Sequence, residues 1–382
     1  MALNLNKGMR VGIFVGTLNS GGAERMMVNL ANTLLIRGVD VKLFLVNKTG
    51  PYLAEVHPAI DIVDLKAKSG VKSVIFKLRK LLSANTLDVL ISTQPHINSI
   101  VGFSSIGLKR KPLLIFREAS YPNSKYSENG YITTQLFKLG HKFADHCIAV
   151  SNGAKKALCN HYNISEQNVT TIYNPVVDES IEVKSKERAN HPWMEQNEIP
   201  VIVAMGRVVP LKGYMLLMKS FSNILKTREA KLLLLGDQTQ DPGYVAELNS
   251  YIKSLSIEDS VELIGFKQNP FAYLSKASLF VLSSKYEGLP GSLVQALACG
   301  CPVVSTDCPS GPDEILESGK YGKLVPVGDV DAMTKAILDS LGEEHDKGEL
   351  KKRASDFSAE KAGEKYMSLI NKLLEEAQRN IK

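Results

Sequence analysis

The residues best suited to chemistry in this 382-residue chain lie in one stretch, Ser283-Ser-Lys-Tyr-Glu-Gly-Leu-Pro-Gly-Ser-Leu-Val-Gln-Ala-Leu-Ala-Cys-Gly-Cys-Pro-Val-Val-Ser-Thr306. An apolar strand predicted over Leu279–Leu282 runs into it, which puts Glu287 on the loop at that strand's end. Gly288 and Gly291 let the backbone approach a ligand closely. Pro290 can open a helix with its body over Ser292–Ala298, and Gly300 ends it. Free N–H groups at a helix start attract phosphate, while a carboxylate beside them accepts hydrogen bonds from sugar hydroxyls. A loop that offers both suits a molecule that carries both, such as a sugar nucleotide.

A second cluster precedes it. The strand predicted over Val201–Met205 leads into Gly206-Arg207-Val-Val-Pro-Leu-Lys212-Gly213, and a helix follows. Two cations and two glycines between a strand end and a helix start form a diphosphate cradle. Arg binds such a group bidentately and Lys acts as a point charge. A third glycine loop, Gly21-Gly22-Ala-Glu-Arg25, occupies the first βα turn. It is not the Gly-x-Gly-x-x-Gly dinucleotide fingerprint, which argues against a dehydrogenase.

Glu287 with Gln295 after seven residues resembles the Glu-x7-Glu signature of retaining glycosyltransferases of family 4, the GT-B "glycosyl transferases group 1" type. Gly206-Arg207-x4-Lys212-Gly213 resembles that family's donor-diphosphate motif, and Gly21-Gly22-Ala-Glu-Arg its N-terminal glycine loop. The resemblance implies two doubly wound Rossmann-like domains facing across a cleft, with a C-terminal helix crossing back to the N-terminal domain. It implies transfer of a sugar, with retained configuration and no metal or other cofactor, from a nucleotide diphosphate sugar (UDP being the commoner nucleotide) to an acceptor hydroxyl. Arg207 and Lys212 would stabilise the departing diphosphate and Glu287 would position the sugar. Gly21 and Gly22 would approach the donor diphosphate and the acceptor, and Gly206 would lie against the donor. The turn Gly288-Leu289-Pro290-Gly291-Ser292 would hold neighbouring polar atoms, and the loop with Phe266 would lie near the base. Gln295 would hold the ribose, without the charge of the family's Glu. Many members carry a His after the strand equivalent to Leu113–Phe116, whereas this chain has Arg117-Glu118. Glu118 is therefore the candidate base for the acceptor proton, or a surface ion-pair partner.

The elements that must position these residues form two successive α/β patterns, as the length of the chain favours. The first, residues 1–177, is the acceptor-side domain, and residues 178–199 are polar and read as a linker. Residues 200–356 form the nucleotide-sugar domain, and residues 357–382 the crossover helix, apolar-periodic from Phe357 to Leu374.

Composition bounds the class. The chain is 44% hydrophobic and 23% charged, as soluble proteins are. No apolar run is long enough to span a bilayer, and the first eight residues lack a signal-peptide core. Five cysteines without a framework of spacing fit a reducing cytoplasm, and Cys299, Cys301 and Cys308 read as buried apolar residues rather than a metal site. Residues 1–177 carry 21 Lys and Arg against 10 Asp and Glu, while the remainder carries 25 against 30. Within the basic half, Lys66–Leu82 sets Val71, Val74, Ile75, Leu78, Leu81 and Leu82 on one helical face. Lys72, Arg79 and Lys80 lie opposite with Phe76 among them, and Lys109-Arg110-Lys111 follow. This pattern fits an interfacial helix on the anionic inner face of a membrane, or a surface helix with a solvated face. Nucleic acid is disfavoured, because no aromatic stacking platform accompanies the charge.

A lipid-linked glycan in bacterial surface polysaccharide synthesis is the acceptor this pattern suggests. Two other readings stay open: a sugar-nucleotide epimerase of GT-B fold, which would release isomerised sugar without acceptor, and a non-catalytic sugar-nucleotide-binding protein. Gln295 keeps the last alive, whereas the paired cations Arg207 and Lys212 argue against it.

Overall fold

The computed structural model describes residues 8–19, 21–67, 71–84, 86–119, 131–195 and 198–379. The N-terminal stretch expected to lack a signal-peptide core, and Lys68–Gly70 of the basic segment, lie outside these. The chain divides into two units, residues 1–175 with 359–382, and residues 176–358.

The first unit runs β1 (Arg10–Val15), α1 (Gly22–Ile36), β2 (Asp40–Leu45), β3 (Asp61–Asp64), α2 (Val71–Ser83), β4 (Val89–Thr93), α3 (Pro95–Ser105), β5 (Leu113–Glu118), α4 (Tyr131–His141), β6 (His146–Ala149), α5 (Asn152–Tyr162) and β7 (Val169–Thr171). Its strands form one parallel sheet in the order β3-β2-β1-β4-β5-β6-β7. The inner strands are short apolar runs because helices cover both faces of a parallel sheet. Ile13 pairs with Leu43 on one side and Ile91 on the other.

The second unit runs α6 (Ser180–Ser185), β8 (Val201–Met205), α7 (Tyr214–Ile224), β9 (Lys231–Leu235), α8 (Pro242–Ser254), β10 (Val261–Gly265), α9 (Phe271–Leu274), β11 (Leu279–Leu282), α10 (Gly291–Ala298), β12 (Val303–Thr306), α11 (Pro312–Leu316), β13 (Lys323–Val325), α12 (Val330–Gly342) and α13 (Lys347–Ala354). Its strands are again parallel, in the order β10-β9-β8-β11-β12-β13.

The last helix, α14 (Ala359–Arg379), belongs to the first unit. Ala362, Tyr366, Met367, Leu369 and Ile370 join its core beside Met27, Leu30 and Leu34 of α1. A 21-residue helix with one apolar stripe gains its stability from such docking rather than from propensity.

Residues 178–199 do not form a linker. Ile181, Ala189 and Met194 are buried in the second unit. Asn269 donates to the Lys184 carbonyl, Ser275 to the Ser185 carbonyl, and His191 bonds Glu262. The segment is polar because it meets its unit largely through hydrogen bonds, and apolar periodicity cannot report those.

Candidate functional site

In each sheet the strand order reverses once, and open α/β sheets bind ligands outside the carboxyl ends of the strands at that reversal. In the second unit the reversal lies between β8 and β11. The loops that follow these two strands are the two motifs singled out above.

Lys212 ends a short 3-10 turn, Pro210–Lys212. Its Nζ donates to Glu287 Oε1 at 2.6 Å, and the two side chains are 15% and 12% exposed. The same oxygen accepts from Ser284 Oγ at 2.6 Å. Backbone contacts lock the two loops together, since Ser283 Oγ donates to the Lys212 carbonyl and the Lys285 amide to that of Leu211. Gly213 is required here. It holds φ +67°, and a Cβ would collide with the Ser283 carbonyl oxygen. A side chain there would push apart the loops that bring Lys212 to Glu287.

Gly206 and Arg207 precede this turn. Tyr214 OH donates to the Gly206 carbonyl at 3.1 Å, while Arg207 is exposed and donates from Nη1 to Gln240 Oε1. One cation is thus anchored to the carboxylate, and the other stands at the surface on a flexible stem.

Gly288, Leu289 and Pro290 are buried and lead into α10, with Gly291 and Ser292 half-buried at its first turn. Ser310 Oγ donates to the Gly288 carbonyl at 2.8 Å, and Thr306 Oγ1 to that of Ser284 at 2.6 Å. A Cβ on Gly311, at φ +93°, would stand 2.5 Å from Pro290 Cδ. The loop is therefore held from behind, and the helix start has a fixed direction. Gln295 is 6% exposed on α10. Phe266, 40% exposed, begins the loop that follows β10.

The three cysteines of this region are free and buried, as expected. Burial pushes the Cys299 and Cys308 thiols up to about 12, so they stay protonated. No group of His, Cys, Asp and Glu among the described residues could hold a metal ion.

In the first unit the reversal lies between β1 and β4. Gly21 caps α1 and Gly22 opens it. Across the reversal, Gln94 Nε2 donates to Glu24 Oε1 at 2.9 Å. Gln94 has φ +78° and ψ 137°, a region that side-chain-bearing residues seldom occupy and that concentrates at functional sites. Glu24 lies in the glycine loop Gly21–Arg25, but Gln94 carries no signal in the sequence. Nothing in a lone Gln announces a left-handed backbone.

Glu118 does not fill the role of base. Its side chain has no exposed surface, and Oε1 accepts from His141 Nε2 at 2.8 Å and Asn98 Nδ2 at 2.7 Å. An acceptor hydroxyl cannot reach a carboxylate in such a place. Nor is it a surface ion-pair partner, since its pair with His141 is fully buried. Neighbouring Arg117 is 1% exposed and donates to Thr93 and Asn174.

Arg79 also departs from expectation. Rather than joining the solvated face of α2, it donates from Nη1 to the Ser104 and Ile106 carbonyls at the end of α3. Helix carbonyls left without intrahelical partners attract a cation.

A family model described as "Glycosyl transferases group 1" matches residues 199–343, and one described as "Glycosyltransferase Family 4" matches residues 20–180. The chain is a family 4 glycosyltransferase. This glycosyltransferase is 28% identical over 348 residues to the N-acetylgalactosamine-N,N'-diacetylbacillosaminyl-diphospho-undecaprenol 4-alpha-N-acetylgalactosaminyltransferase of Campylobacter jejuni, covering 87% of this chain and 90% of that one. It is 28% identical over 245 residues to the lipopolysaccharide 1,6-galactosyltransferase of Escherichia coli, covering 62% of this chain and 61% of that one. Among solved structures, Anabaena HepE with UDP and glucose superposes with a TM-score of 0.79 at 18% identity, covering 95% of this chain and 100% of that one. At that identity the likeness speaks for the fold, which is GT-B: two Rossmann-like domains with parallel sheets.

Proposed function

We propose that this glycosyltransferase moves a sugar from a UDP-sugar to a hydroxyl of a lipid-linked glycan in surface polysaccharide synthesis, with retention of anomeric configuration and without a metal. The observation that carries the reading is the Lys212–Glu287 contact at the β8/β11 reversal, beside the start of α10. The acceptor class is supported by the names of the Campylobacter and Escherichia relatives. The UDP assignment is supported by the ligand of the HepE structure.

Breaking the glycosidic bond puts extra negative charge on the diphosphate. Lys212 is a fixed cation for it, and exposed Arg207 can swing onto its outer oxygens. Preorganised charge of this kind needs no reorganisation at the moment of reaction. Glu287, turned by Ser284 and Lys212, accepts hydrogen bonds from the sugar hydroxyls. The amides of Gly291 and Ser292 at the start of α10 face anionic or polar atoms. With Glu118 sealed in the first unit, the departing phosphate oxygen takes the acceptor proton.

Incubation of the purified protein with UDP-sugars and a prenyl-diphosphate-linked sugar tests this. A product with the donor's anomeric configuration, formed in the presence of EDTA, is expected. An inverted product, loss of turnover with EDTA, or free isomerised sugar without acceptor would each overturn the corresponding part.

A further inference from the structure

The apolar residues left exposed in the first unit are concentrated on one side. Of its seven large exposed hydrophobics among the described residues, Ile36 lies on α1, while Val71 and Phe76 of α2, Ile106 at the end of α3, and Ile132, Leu136 and Leu139 of α4 lie on helices that pack side by side. The fit between α3 and α4 is close, because a Cβ on Gly140 would stand 2.6 Å from Ser99 Cα. On α4 the spacing 132, 136, 139 is that of a core stripe, yet this stripe faces outward, while Gly140 and His141 are buried. Phe76 is 72% exposed and Ile132 is 74% exposed.

Cations fringe these residues. Lys72 and Lys80 flank Phe76 one turn away on either side and are exposed, as are Lys109, Arg110 and Lys142. No carboxylate occurs in α2, α3, α4 or residues 106–112. The helices flanking α3 thus present apolar anchors and uncompensated positive charge together.

We infer that the α2–α4 side of the first unit docks on an anionic lipid surface, with Phe76, Ile132, Leu136 and Leu139 entering the acyl boundary and Lys72, Lys80, Lys109, Arg110 and Lys142 meeting the headgroups. Apolar side chains ringed by Lys and Arg match that boundary in both layers. A second copy of the chain fits less well. A two-fold interface would set these cations against their own images without an acidic residue to offset them.

The test needs neither donor nor acceptor, so its failure is distinct from failure of the catalytic reading. Flotation of the full chain is compared on vesicles of phosphatidylglycerol with phosphatidylethanolamine and on phosphatidylcholine alone. The wild type is expected to float with the anionic vesicles only. The variant F76S/I132S/L136S/L139S and the variant K72E/K80E are each expected to lower the partition coefficient at least about tenfold. R79A, which removes the tie from α2 to the carbonyls at the end of α3, is expected to float like wild type. Circular dichroism and a cooperative thermal unfolding transition, measured on every variant, confirm folding of the first unit. Equal flotation of wild type and the apolar variant, wild type left at the bottom with anionic vesicles, or a dimer abolished by the apolar variant without vesicle binding would overturn the inference.

Discussion

Glu118 and His141 form an ion pair with 0% and 1% of their side chains exposed, Nε2 to Oε1 at 2.8 Å. The His141 ring also bonds the Phe137 carbonyl through Nδ1 and stacks on Tyr162. Both ring nitrogens face acceptors, so the ring carries both protons. Burial pulls the imidazole pKa down, but the Glu118 bond and charge and the Phe137 carbonyl outweigh it, and the net shift is upward.

A raised folded-state pKa fixes the sign of the pH dependence. His141 stabilises the fold fully below the unfolded value of about 6.5, and that contribution is lost as pH rises through the higher folded value. The melting-temperature gap between wild type and H141Q should therefore be widest near pH 6 and shrink towards pH 9. A constant gap across that range would contradict the charged ring. E118A, which leaves a buried cation unpaired, should cost about 3–5 kcal/mol in denaturant titration.

Removing either cation of the donor loop should slow turnover rather than only weaken binding. K212A and R207A are each expected to lower kcat by about 10²–10³, or roughly 2.7–4 kcal/mol, as loss of one preorganised donor to a developing anion does. K212A should lose donor affinity as well, because Glu287 then stands beside the diphosphate without its partner. Steady-state kinetics with a UDP-sugar separates the two effects.

G213A tests whether the loops must touch. Because φ is +67° and the added methyl meets the Ser283 carbonyl, the Lys212 turn should move away from Glu287. The expected result is at least about a tenfold fall in kcat/KM together with a lower melting temperature. Unchanged kinetics would mean that the 2.6 Å contact is incidental.

Gln295 gives a two-part expectation. Q295E places a carboxylate at a position only 6% exposed, so the ligand-free protein should melt earlier. If this residue holds the ribose, donor-induced stabilisation should equal or exceed that of wild type, since a charged acceptor binds a diol more strongly. A smaller donor shift in calorimetry would remove Gln295 from the ribose site.

The two loops at the β8/β11 reversal are legible in the sequence. Gly206, Arg207, Lys212, Gly213 and Glu287 carry strong local signals, because helix starts, tight turns and strand ends restrict residue type. What remained hidden depends on contacts distant in sequence. Ser284 looks like any loop serine until its hydroxyl meets Glu287. Glu118 looks like a cleft residue at a strand end until Asn98 and His141 close over it. Arg79 reads as part of a solvated face until the end of α3 supplies carbonyls. The segment 178–199 shows no periodicity, because Asn269, Ser275 and Glu262 hold it.

The position of α14 bears on how the protein is made. The first unit lacks Tyr366, Met367, Leu369 and Ile370 until the whole second unit has been synthesised, whereas the second unit is contiguous in the chain. The half translated first is therefore the half completed last. Its exposed α1 face must be protected through synthesis of everything in between, and a nascent chain arrested before residue 359 would carry a finished second unit and an unfinished first one.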